Sequence, residues 1–307
     1  MKKWMIGVTV ASSVGLLAAC GGGDNGDGNG EEAGDNGQVD QLTMGFVPSQ
    51  DADEIATTVE PLQERLSEEL GVEIDAEVMT NYTALVEGMR TQNIDIGFLP
   101  PFGFVQAEER AEVNVLLKAI RHGDDSYLAQ FVVREDSDIN DIDDIINSDP
   151  GELTWSFGDV TSTAGYLFPA SHLMDLGIEE VDEHFVQQTV GGHDNALQSL
   201  LDGQADFATT FDDARDNFAD ENPDIYDELT VIEYTDPIPN DTISVRSEMD
   251  EELAQEIKDV FLSFNDDEEM MEVMDEVYNW TGVTEASSED YEIVRETYER
   301  FEDVVEE

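Results

Sequence analysis

Gly158-Asp159-Val160-Thr161-Ser162-Thr163-Ala164-Gly165-Tyr166-Leu167-Phe168-Pro169 lies between two periodicities. Leu153-Thr154-Trp155-Ser156-Phe157, ahead of it, alternates as a strand does, while Tyr166, Leu167, Ala170, Leu173 and Met174 behind it recur at helical spacing. The stretch is therefore a strand-to-helix junction. Ser162 or Thr163 can serve as N-cap, which leaves first-turn N–H groups without helical partners near the positive end of the helix dipole. Such donors suit an oxyanion, and the small residues Ala164 and Gly165 let a ligand approach the backbone. The hydroxyls of Thr161, Ser162 and Thr163 add uncharged donors. Pro169 predicts a kink or a short first helical segment. The plainer alternative is an ordinary capped helix.

Upstream, Leu42 to Pro48 reads as an apolar strand. A long amphipathic helix follows from about Asp53 to Glu69, with Ile55, Val59, Leu62, Leu66 and Leu70 inward and Gly71 as its stop. Val72–Val78 alternates as a strand, Asn81–Met89 reads as a helix, and Ile94–Leu99 as the next strand. Leu128–Val133, a helix near Ile142–Ile146, the junction, and a strand near Phe185–Thr189 repeat the alternation. Strands separated by helix-length segments imply a parallel sheet covered on both faces. Tyr82–Met89 leading to Ile94-Asp95-Ile96 parallels His193–Leu201 leading to Ala205-Asp206-Phe207, so two similar lobes are expected, with Tyr82 and His193 facing each other across a cleft. Helices over Asp250–Phe264 and Tyr291–Val305 are expected to pack on the first lobe.

Composition narrows the partners. In 307 residues, 13 Lys and Arg stand against 74 Asp and Glu, a formal net charge of -61. That argues against nucleic acid and acidic membrane surfaces. It fits a solvated acidic coat from a salt-loving source, because at ~1 M salt the Debye length is roughly 3 Å. With so few cations, Arg90, Arg121, Arg134 and Arg246 are expected to pair locally.

Residues 1–20 carry Lys2 and Lys3, an apolar run, and Leu17-Ala18-Ala19-Cys20, which reads as a signal peptide ending in a lipobox with Cys20 as the lipidated residue. A transmembrane helix is excluded by the shortness of the run. Cys20 is the only cysteine, so a disulfide framework and a cysteine metal site are both ruled out. Residues 21–40 have the Gly, Asp, Asn and Glu composition of a flexible tether. Asn25–Gly30 fails as a calcium loop, lacking the first Asp and the final Glu.

The junction motif, together with Gly191-Gly192-His193-Asp194 and Gly203-Gln204-Ala205-Asp206, resembles the substrate-binding lipoproteins of ABC importers for phosphate, phosphite and phosphonates. The likeness spans roughly residues 42–246. It implies an α/β type II periplasmic-binding-protein fold with two lobes joined by two crossings, here 41–128 plus 243–307 and 129–242. It also implies a phosphorus oxyanion held by Ser162, Thr163 and the backbone at Ala164, alongside Tyr82 and His193. Val160 replaces the family's loop proline and Ala164 its third hydroxyl residue. In aminoalkylphosphonate-binding members two acidic side chains face the ligand's far end; Asp213, with Asp212 adjacent, and Asp241 fall at those places. The implied partners are the ligand, a permease and an ATPase, and the membrane reached through Cys20, with the protein a monomer outside the cytoplasm and without cofactor or metal.

Two other classes remain for comparison. A hydrolase lacks support, since there is no Gly-x-Ser-x-Gly elbow or His-Glu-x-x-His and the four histidines lie in separate segments, which leaves His193 as the one conceivable general base. A lipid-anchored ligand sensor without a transport role fits the same motifs.

Overall fold

The computed structural model describes residues 40–300. The signal-peptide, lipidation and tether readings, and the end of the last predicted helix, lie outside those residues.

The strands gather into two main sheets. The first runs in the order Gly282–Glu285, Asn114–Ile120, Thr242–Val245, Ile96–Leu99, Gln41–Phe46, Glu73–Val78. The second runs Leu229–Tyr234, Ala129–Arg134, Phe207–Phe211, Thr154–Phe157, Val186–Thr189. Each sheet has a parallel part, as alternating strands and helices predict. Neither is wholly parallel. Thr242–Val245 enters the first sheet antiparallel between Ile96–Leu99 and Asn114–Ile120, and Ala129–Arg134 runs antiparallel to both of its neighbours. These two strands flank the places where the chain passes from one sheet to the other; a third antiparallel strand, Gly282–Glu285, closes the edge of the first sheet against Asn114–Ile120. At the crossing itself Ser126–Tyr127 pairs antiparallel with Ile238–Pro239.

The core is aromatic in both lobes. Phe46, Phe98 and Trp280 stack in the first, and Trp155, Tyr166 and Phe207 in the second, with parallel rings 4.3–5.8 Å apart. The long helix expected over residues 53–69 is two helices, Ala52–Thr58 and Glu60–Leu70. Pro61, in the first turn of the second, has no N–H to give and forces a restart there. Periodicity did not signal Pro101–Ala111, whose residues up to Ala107 are all buried and which therefore carries no polar face to read. The final helix, Glu292–Glu299, packs on Pro101–Ala111 of the first lobe, but Arg300 at its end reaches across to Ser171 Oγ at 2.9 Å and Asp175 at 2.8 Å in the second. Among the described residues no helix is long and apolar enough to cross a membrane.

Candidate functional site

Between the sheets lies a cavity of about 40 Å³ lined by Tyr82, Ser162, Thr163, Ala164, His193 and Asp241, together with Arg121 and aromatic rings that include Tyr127, Phe211 and Tyr278.

The junction builds one wall. Ser162 caps a single turn of π-helix, Thr163–Leu167, by accepting from the Gly165 N–H at 3.0 Å; the chain then continues as the α-helix Phe168–Asp175 with Pro169 in its first turn. That is the short first segment the proline predicts. Trp155 Nε1 donates to Thr209 Oγ1 at 2.8 Å, and the Thr209 hydroxyl donates to the Gly165 carbonyl at 2.5 Å, which fixes the turn on the strand beneath. Position 165 admits only glycine at this spacing, since a Cβ there would lie 2.8 Å from Ser162 Oγ. With Gly165 engaged, the N–H groups of Thr163 and Ala164 are the first-turn donors without helical acceptors. Thr161 is not among the donors: its N–H and hydroxyl both bond Asp159 Oδ1, at 2.8 and 2.6 Å.

The two lobes are hydrogen-bonded across the cleft at the same residues. Thr163 Oγ1 accepts from Phe102 N–H at 2.9 Å, leaving its own hydrogen to give, and His193 N–H donates to the Ser49 carbonyl at 2.9 Å. His193 Nε2 lies 3.5 Å from Ser162 Oγ, while its buried Nδ1 has no partner. Burial, helped by the Arg121 charge, lowers the imidazole to about 3, so it is neutral at ordinary pH. Tyr82 lies beside Ser162; burial first, then Asp159 and Asp241, push its phenol far up, so it stays a hydroxyl donor.

The sequence reading separates at the two acidic candidates. Asp241 lines the cavity, and burial raises its carboxyl to about 6, with Arg121 pulling the other way. Asp213 does not line it. Its carboxylate is gripped by Arg215 through Nε and Nη2, both at 2.9 Å. Burial raises this carboxyl, but the Arg215 guanidinium outweighs that and leaves it below the usual range. Asp212 is also off the cavity, accepting from the Leu128 N–H at 3.0 Å. A partner two residues along the chain, Arg215, is what takes Asp213 out of the candidate set.

Arg121 is the residue that sequence reasoning assigned elsewhere. Arg90 and Arg134 do pair locally, with Glu87 and Asp136 at 2.7 and 3.2 Å, and Arg246 pairs with the distant Asp95 at 2.6 Å. Arg121 has no ion pair among the described residues; it is 5% exposed and its Nε lacks a hydrogen-bond partner. Its guanidinium lies over the rings of Phe211 and Tyr127, 4.6 and 5.3 Å from their centroids. The available signal was the turn that carries it. His122 and Gly123 have positive φ of 50° and 88°, and Arg121 and Asp124 exchange backbone hydrogen bonds, so a tight hairpin marks the crossing. No group of three His, Cys, Asp or Glu among the described residues is arranged to hold a metal.

Residues 44–291 match the family of periplasmic substrate-binding proteins of ABC phosphonate transporters. The chain belongs to that family. It is 25% identical over 228 residues to the phosphonates-binding periplasmic protein of Escherichia coli, covering 74% of this chain and 67% of that one. It is 25% identical over 265 residues to the phosphate-import protein PhnD of Mycolicibacterium smegmatis, with 82% and 80% covered. Its fold is shared with PhnD1 of Prochlorococcus marinus, solved in complex with methylphosphonate, at a TM-score of 0.76 and 23% identity over 86% of this chain and 99% of that one. The family is one of transport proteins rather than enzymes, and its ABC importers take up solutes outside the cytoplasm.

Proposed function

We propose that the protein captures a phosphorus oxyanion, a phosphonate above all, between its two lobes and delivers it to the permease of an ABC importer powered by its ATPase. One observation carries this reading: the Ser162–Thr163 helix start, Tyr82 and neutral His193 converge on one small cleft whose two walls are already hydrogen-bonded to each other. Each of those groups can donate a hydrogen bond, and the ionised oxygens of a phosphorus oxyanion accept them. Ser162, Thr163 and the Ala164 backbone bind the phosphorus group, with Tyr82 and His193 closing over it and Asp241 facing the rest of the ligand. The lipobox at Cys20 is read as the membrane anchor, the glycine-rich tether as its reach, and the acidic surface as an adaptation to high salt. The protein acts as a monomer, without a metal or other cofactor.

Calorimetry at high salt with phosphate, phosphite, methylphosphonate and 2-aminoethylphosphonate tests the reading. One-to-one binding of at least one of them is expected. Absence of both heat and thermal shift with all four removes it.

A further inference from the structure

In a chain with 74 acidic residues, a buried guanidinium without a carboxylate is anomalous. Arg65, Arg90, Arg134, Arg215, Arg246, Arg295 and Arg300 each hold one. Arg121 holds none among the described residues, and it lines the cleft. It is not free to swing out to solvent. The Arg121–Asp124 hairpin fixes its backbone, and Asn240 Nδ2 ties that hairpin to the neighbouring strand through the Ala119 and Asp124 carbonyls at 3.0 and 2.9 Å. Phe211 and Tyr127 hold the guanidinium by its faces. Asp241 and Asp212 feel this charge, but no carboxylate among the described residues hydrogen-bonds it, and a buried cation left without a direct partner is costly; an anion entering the cleft would supply that partner.

The same cation bears on the far end of the ligand. Asp241 is the carboxylate that would attract an ammonium there, and Arg121 is a cation whose charge already acts on it. An ammonium drawn to Asp241 would share a partly dry cleft with a guanidinium of the same sign. The second carboxylate that would offset this repulsion, Asp213, lies outside the cavity and is paired with Arg215.

We propose that Arg121 is the specificity-determining residue of the cleft: it pairs with the ligand's negative charge and selects phosphorus oxyanions without a cationic tail, such as methylphosphonate or phosphite, over aminoalkylphosphonates. This rests on the oxyanion-binding reading above.

The test is a titration of the whole protein at high salt with methylphosphonate, phosphite and 2-aminoethylphosphonate, comparing the wild type with Arg121→Gln and Arg121→Lys. Wild type binds methylphosphonate or phosphite more tightly than 2-aminoethylphosphonate. Arg121→Gln keeps a hydrogen-bonding amide and removes the charge; it weakens methylphosphonate roughly tenfold or more, the scale of one hydrogen bond to a charged group, and weakens 2-aminoethylphosphonate much less. Arg121→Lys preserves the wild-type order. Wild-type preference for 2-aminoethylphosphonate overturns the proposal without any variant, which keeps it testable if Arg121→Gln does not fold. Equal losses for both ligands in Arg121→Gln overturn it as well. If no oxyanion binds the wild type, the functional reading falls and this inference with it. If oxyanions bind and Ser162→Ala weakens them while their ranking ignores Arg121, this inference alone falls.

Discussion

The helices Tyr82–Arg90 and His193–Leu201 occupy matching places in the two lobes, each opening with a ring that lines the cleft and each leading to an inner strand of its sheet. Their first turns are treated differently. Asn81 caps the first helix with its side chain, accepting from the Ala84 N–H at 2.8 Å. Gly192 gives the second no side-chain cap, and the His193 N–H is instead spent across the cleft on the Ser49 carbonyl. Gly192 packs so closely on the first lobe that a Cβ would sit 3.3 Å from that same carbonyl. One helix is finished within its own lobe, whereas the other is completed by the opposite lobe. The helix of the second lobe thus both lines the cavity and bonds the opposite lobe.

The largest expected effect sharpens this difference through pH. His193 is held near 3 by burial, below the usual value of about 6.5, so between those values the unfolded chain binds more protons and stability falls as pH falls. Relative to His193→Asn, the wild type should lose on the order of 4 kcal/mol across that window. Chemical denaturation at high salt from pH 7 to pH 3 measures it; parallel curves for the two proteins would show that His193 is not confined as described.

Next is the bond that joins the walls. Thr163→Ala removes a donor to the ligand and strands the buried Phe102 N–H, so oxyanion affinity should drop by about 1.5–3 kcal/mol with a smaller loss of stability. Unchanged affinity by calorimetry would take Thr163 out of the site. The smallest effect separates the two helix starts: Asn81→Ala should lower stability by about 1 kcal/mol and leave affinity near wild type, because its cap serves only its own lobe. Gly192→Ala should do the reverse, weakening binding by less than about 1 kcal/mol of affinity with little change in melting temperature. Matching responses from both variants would erase the distinction.

The sequence by itself determined what is written locally. Strand alternation, the Ser162 cap, Gly165 and Pro169 place a capped helix start between Phe157 and Phe168, because capping and helix geometry are settled within a few residues of chain. The repeated helix pattern likewise made Tyr82 and His193 legible as a facing pair, and both line the cleft. Tertiary structure decided the charges and the direction of the crossing strands. Thr242 pairs with Leu99, 143 residues away, and nothing near either residue announces an antiparallel insertion. Asp213 and Asp241 look alike in an acidic chain, but one meets Arg215 and the other faces a cavity shared with Arg121. Whether a charge is paired, buried or left for a ligand depends on which atoms the fold brings within a few ångströms, and those come from segments that are far apart in the chain.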